Sequence, residues 1–171
     1  TDQDLHIAGL VMDSFKGEAI VVNKWDLVAG GSKDEKEARR VVLSRFRFID
    51  HAPVICTSAM TGEGLAVLLR AAFAGEEQRK RWLVQSELNA TVMDAVARHL
   101  PPKHGSRSMK IYRVKQETVS PPTFVFYCNN PNLMHFSYER YLENSIREAF
   151  GFEGNRLRLE FRGIVKIHVI V

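Results

Sequence analysis

An amide, an amine and a carboxylate stand together at residues 23–26, Asn-Lys-Trp-Asp, directly behind the apolar run 19–22. In an open parallel sheet the carboxyl ends of strands are where ligands bind. A short carboxylate held there accepts two hydrogen bonds at once. Guanine offers a matching pair of donors, its ring N–H and its exocyclic amine, whereas adenine places an acceptor at the ring position. Adenine would therefore leave the carboxylate of Asp26 unpaired and desolvated. The aliphatic stem of Lys24 suits the flat face of a base while its ammonium stays in water. A second strand end adds to the pattern: Ser58-Ala59-Met60 closes the run PVICTSA (53–59), and Thr61-Gly62-Glu63-Gly64 follows as a tight turn. A small residue in such a turn can aim a backbone N–H at the guanine carbonyl. The competing reading of residues 23–26 is a solvated loop after a strand, and Trp25 is expected to pack locally.

These residues need elements to hold them. Residues 2–15 place Leu5, Ala8, Gly9, Met12 and Phe15 on one helical face, with Gly17 as the expected stop. A buried parallel strand is predicted over 19–23. A loop over 30–34 offers Ser32 or Asp34 as N-cap to a helix over 35–48. A strand over 53–59 and a helix over 63–73 complete the alternation of an α/β domain with a parallel sheet. The polar stretch 75–83 reads as a linker or an extended helix end. Beyond it, Ser86 is the expected cap of a helix carrying Leu88, Val92, Ala95, Val96 and Leu100, stopped by Pro101-Pro102. Strands over 109–115 and 123–128, a helix over 136–150 and an alternating strand over 156–162 give the order α-β-β-α-β. That order makes a small α+β sandwich, with three strands covered on one face by helices. The expected domains are residues 1–79 and 80–171.

Composition points the same way. A 171-residue chain with 45% hydrophobic residues has ample core material. No stretch reaches the length of a membrane span, and no signal peptide opens the chain. Cys56 and Cys128 read as reduced, buried thiols, and no metal-ligand spacing joins the histidines and cysteines. Residues 1–80 carry 11 Lys+Arg against 12 Asp+Glu, and residues 81–171 carry 13 against 8, so the second part is basic. A polyanion is the natural partner for it. Lys103, Arg107, Lys110, Arg113 and Lys115 form a run without an acid that suits a phosphate backbone, with Tyr112 or His104 available to stack. The alternative is an ordinary solvated strand face. Arg156, Arg158 and Arg162 are expected as a second positive row. Phe124, Phe126, Tyr138, Tyr141, Phe150, Phe152 and Phe161 are expected in cores. The apolar end 164–171 reads as an edge strand, a segment swapped between chains or vector-derived sequence.

NKWD followed by SAMTGEG is similar to the fourth and fifth guanine-recognition motifs of translation-factor-like GTPases. With DQDLHIAG, PPTFVFYCNNP and HFSYERYLENSIREAFGFEG added, nearly the whole chain resembles the Der (EngA) family of bacterial GTPases with two tandem G domains. The resemblance implies a partial P-loop GTPase-type sheet, from the back half of the second G domain, followed by a KH-like domain. It implies that Asp26 holds the guanine ring N–H and amine, that Asn23 braces the loop and that Lys24 packs over the base. Ser58, Ala59 and Met60 then close the other side, with the Ala59 N–H toward the guanine carbonyl. It implies GTP or GDP with magnesium in the complete protein, a cytoplasmic role in large-subunit ribosome assembly, contact with ribosomal RNA, and packing against further G domains. The alternative is a non-enzymatic RNA- or protein-binding module with a G-domain remnant as scaffold.

Phosphoryl transfer needs a phosphate cradle, yet no G-x-x-x-x-G-K-[ST] string and no Asp-x-x-Gly element occurs. The resemblance places both upstream in a longer protein. The chain alone is therefore expected to hold no catalytic residue, to hydrolyse no GTP and to bind no nucleotide tightly. Nor is there a Gly-x-x-Gly loop between two helices of the kind that grips RNA in KH domains. Gly151 and Gly154 follow the last helix instead.

Overall fold

The computed structural model describes residues 2–28, 34–104 and 107–164. The expected loop at 30–33, with Ser32, and the end 165–171 lie outside them. The chain divides into two units. The first runs to Lys80 and takes in Phe152–Arg156; the second holds Arg81–Gly151 and resumes at Leu157.

In the first unit, α1 (Asp2–Asp13), β1 (Ile20–Val22), α2 (Glu35–Arg45), β2 (Val54–Cys56) and α3 (Leu65–Lys80) alternate as the hydrophobic pattern predicts. β1 and β2 pair in parallel, Ile20 against Val54 and Val22 against Cys56. Asp34 caps α2, its Oδ1 accepting from the Lys36 and Glu37 N–H groups at 2.9 and 3.3 Å. The polar run after Gly75 resolves as the end of α3. The left-handed residue after α1 is Phe15 (φ 53°), not Gly17. The Phe15 ring lies beneath the Arg156 guanidinium, 4.5 Å from its centre.

None of the described residues of α1, α2 or α3 is fully buried. Leu10, Val41, Leu69 and Phe73 are more than half exposed. An open apolar cleft lies between α1 (Ile7, Val11), β1 (Ile20–Val22) and α2 (Val42, Phe46). Contiguous apolar surface of this kind marks a contact site.

The second unit is built on a complete core. β5 (Ile111–Thr118) pairs antiparallel with β6 (Thr123–Cys128), which pairs in parallel with β7 (Arg158–Gly163). The central strand β6 buries five of its six residues. Helix α4 (Gln85–Arg98) packs on β5 and on α5 (Phe136–Phe150). The cores supply Leu88, Val92 and Ala95 from α4 and Tyr138, Leu142 and Ile146 from α5, spaced as one helical face requires. A short hairpin, β3 (Lys103–His104) with β4 (Arg107–Ser108), precedes β5 and is not legible in the sequence.

Ser86 does not cap α4. The N-cap is Val84, without a side-chain bond, because the start of the helix is fixed otherwise. The buried amide of Gln116 accepts from the Leu83 N–H (2.8 Å) and donates to the Arg81 carbonyl (2.9 Å). The edge of β5 is closed by α4: the Val114 N–H donates to Asn89 Oδ1 at 3.1 Å, and Gln85 Nε2 donates to the Val114 carbonyl at 2.7 Å.

The α4–α5 contact is locked by two phenols. Tyr138 donates to the His99 carbonyl (2.6 Å) and Tyr141 to the Ala95 carbonyl (2.8 Å). Burial, with Tyr141 alongside, pushes the Tyr138 phenol up to about 12. Its contribution is thus present below its ordinary value near pH 10 and lost as pH rises toward 12. Tyr138→Phe is expected to cost about 1 kcal/mol, read by urea denaturation.

Candidate functional site

The carboxyl ends of β1 and β2 are tied together before any ligand is considered. The Thr57 N–H donates to the Val22 carbonyl at 2.9 Å, and the Trp25 N–H donates to the Thr57 carbonyl at 3.0 Å. Trp25 is buried and anchors the loop as a packing residue. Its neighbours turn sharply around it. Lys24 adopts the left-handed conformation (φ 63°, ψ 35°), and Trp25–Leu27 form one 3₁₀ turn. This turn leaves Asp26 half-buried and Asn23 and Lys24 exposed.

Asp26 Oδ1 is buried and has no hydrogen-bond donor among the described residues. A buried acceptor without a partner is costly, and a donor supplied by a ligand would relieve that cost. Asn23 Oδ1 accepts from the Lys24 N–H at 2.8 Å and from the Ala59 N–H at 3.2 Å. Asn23 therefore joins the two strand ends directly. In this state the Ala59 N–H serves Asn23 rather than an open position.

The second strand end is a closed loop held by its own backbone. Ser58 is fully buried. Its N–H donates to the Glu63 carbonyl (2.9 Å) and its carbonyl accepts from the Gly62 N–H (2.9 Å). Its hydroxyl accepts from the Thr61 N–H at 3.2 Å. Gly64 (φ +77°) makes this closure possible, since a Cβ there would lie 2.1 Å from the Cys56 carbonyl oxygen. Ala59 and Met60 face solvent, Met60 with 89% of its surface exposed. The structure thus brings Asn23, Lys24 and Asp26 to one loop and Ser58, Ala59 and Met60 to its neighbour. Thr57 and Gly64 belong to the same arrangement. Gly64 is visible in the sequence only as one of two glycines in a turn.

Lys103, Arg107, Lys110, Arg113 and Lys115 are all exposed. They do not form one row. Lys103 and Arg107 sit on the β3–β4 hairpin and Lys110 precedes β5. Arg113 lies over the Tyr127 ring, 4.1 Å from its centre. The expected second row of arginines is dispersed. Arg162 is held by Glu117 (2.8 and 2.6 Å) and Glu160 (2.7 Å), which keeps the Glu117 carboxyl below the usual range. Arg156 lies in the first unit, donating to the Met12 carbonyl at 3.0 Å. Gly154 also lies there, bonded to Glu18 and His51. The described residues contain no group of His, Cys, Asp and Glu able to hold a metal ion, and no helix long and apolar enough to cross a membrane. Cys56 and Cys128 are buried free thiols, and burial pushes both upward.

Comparison with known proteins covers both units. A family model described as the KH-domain-like domain of EngA bacterial GTPase enzymes, C-terminal, matches residues 83–162. A protein named GTPase Der from Geobacillus sp. (strain WCH70) is 44% identical over 158 residues, 92% of this chain and 36% of the relative. GTPase Der from Thermomicrobium roseum is 42% identical over 168 residues, 95% and 36%. GTPase Der from Moorella thermoacetica is 44% identical over 162 residues, 95% and 37%. The chain therefore spans little more than a third of the length of these relatives.

Proposed function

Because the chain belongs to the Der family of GTPases, we propose that its first unit is the base-reading part of a guanine-nucleotide site and that its second unit is a docking module for ribosomal RNA. The complete protein would then be a cytoplasmic GTP-hydrolysing factor of large-subunit ribosome assembly. The observation that carries the first half is Asp26 Oδ1, buried at the end of β1 without a donor. Guanine supplies two donors along one edge, and one of them meets that need. Asn23 holds the two loops in register through the Ala59 N–H, and exchanging that long bond for one to the guanine carbonyl is the adjustment expected on binding. Lys24, exposed and left-handed, is free to lay its stem over the base.

Magnesium is expected with the nucleotide in the complete protein. No metal-holding cluster of His, Cys, Asp and Glu occurs among the described residues. Phosphate and metal contacts belong, on this reading, to parts of the protein outside this chain. The open apolar cleft between α1, β1 and α2 suits packing against further G-domain segments.

Titrating the full-length protein with GTP and with ATP tests the reading. A mismatched committed acceptor predicts GTP tighter by on the order of a hundredfold or more, and equal affinities would sink it. The reading of the chain as an RNA-binding module is favoured by the exposed cations of the β3–β4 hairpin and Lys110. Arg107→Glu with Lys110→Glu should weaken rRNA binding and reduce its salt dependence by about one unit of slope per lost phosphate contact. An unchanged slope would remove that support.

A further inference from the structure

The segment Phe152–Arg156 lies between two parts of the second unit in sequence, yet it is built into the first unit. Phe152 and Asn155 are fully buried. Phe152 holds a left-handed backbone (φ 70°), which a bulky residue adopts only when its surroundings enforce it. The enforcing contacts are specific. The Phe152 N–H donates to Gln78 Oε1 at 3.0 Å, and Asn155 Nδ2 donates to the Gly75 carbonyl at 2.8 Å, both on α3.

Gly154 is the centre of the arrangement. Its N–H donates to the His51 carbonyl (2.8 Å), ahead of β2, and its carbonyl accepts from the Glu18 N–H (2.8 Å), ahead of β1. Gly17 and Asn155 form an antiparallel bridge beside it. The side chains of Glu18 and His51 are almost fully buried, with Oε1 and Nε2 2.9 Å apart. One glycine thus spaces the leading ends of the two strands whose trailing ends carry the base loops. A Cβ on Gly154 would lie 3.0 Å from the Glu18 carbonyl oxygen and 3.4 Å from Pro53, at φ +73°.

Each of the two strands is three residues long. A ladder that short specifies its own register weakly. The bonds made ahead of it therefore weigh heavily in where it ends. Five residue steps lead from Glu18 to Asn23, roughly 16 Å of extended chain, and extended backbone transmits a shift at one end to the other.

We propose that Phe152–Arg156, acting through Gly154, is a positioning element of the guanine site: it sets the leading ends of β1 and β2 so that Asp26 and Ala59 meet one base. The proposal rests on the guanine reading above. It concerns the ratio of GTP to ATP affinity, because a merely structural segment would change the fraction of folded protein and leave that ratio alone.

The test measures both affinities in the full-length protein for wild type, Gly154→Ala, Glu18→Gln and Leu142→Ala. Gly154→Ala is expected to cut the GTP:ATP ratio about tenfold and Glu18→Gln several-fold. Leu142→Ala, a core truncation in the second unit, should lower stability and keep the ratio. If Gly154→Ala does not fold, Glu18→Gln decides. An unchanged ratio in the folded clamp variants overturns the proposal while leaving the guanine reading intact, as does an equal drop in Leu142→Ala. A wild type without GTP preference defeats the guanine reading itself.

Discussion

Asp26→Asn in the full-length protein is expected to move its preference from guanosine to xanthosine nucleotides. The carboxylate presents two acceptors, and guanine answers with two donors. An amide presents one acceptor and one donor. Xanthine keeps the ring N–H but carries a carbonyl where guanine has its amine, so it matches the amide and not the carboxylate. With guanine the variant would face a donor against a donor and leave an acceptor bond unmade, in a place where Asp26 Oδ1 is already removed from water. Two mismatched groups at about 1–3 kcal/mol each make the GTP affinity fall on the order of a thousandfold. Titration with GTP and XTP reads the outcome directly. Undiminished selectivity for GTP in the variant would show that Asp26 does not touch the base.

Gly64→Ala is the second large effect, and it needs no nucleotide. The added methyl would sit 2.1 Å from the Cys56 carbonyl oxygen, and that contact is backbone, so no side chain can swing aside. The backbone is also left-handed there (φ +77°), which by itself costs about 1 kcal/mol for alanine. Relief requires the loop from Ser58 to Gly64 to open, breaking the Ser58 N–H bond to the Glu63 carbonyl. The expected loss is about 3 kcal/mol or more for the first unit. Urea denaturation followed by the fluorescence of the buried Trp25, in a Trp82→Phe background, would report it. A midpoint equal to that of the Trp82→Phe parent would refute the account. Gly9→Ala is the matched control, since nothing lies within 4 Å of its added methyl.

What the sequence revealed follows from how local each signal is. Helix α5 is read to the residue because its apolar stripe fills fifteen consecutive positions and Gly151 follows directly. The strand expected over 156–162 forms two residues later, as Arg158–Gly163, and the inward-outward alternation is only partly kept: Leu157 is buried just ahead of it, while Leu159, Glu160 and Phe161 are all half-buried. The two loops at the ends of β1 and β2 are legible as residue types. The unpartnered oxygen of Asp26 and the Asn23–Ala59 bond are not: the first depends on the folded surroundings, and the second joins residues 36 positions apart. The missed features share that character. Ser86 looks like a cap, but Gln116 from a distant strand fixes the chain ahead of α4. Arg156 and Arg162 look alike in an alternating run, yet one meets Asp13 and Phe15 while the other meets Glu117. Charge patterning along a strand cannot say which acids arrive opposite it.

The return of residues 152–156 to the first unit also bears on how such proteins can be cut and recombined. A chimaera joined at Lys80, taking residues 1–80 from one homologue and the remainder from another, would receive Gly154 and Asn155 from the wrong parent. Grafts that carry this pentapeptide along with residues 1–80 should tolerate the exchange better than grafts that respect the linear boundary.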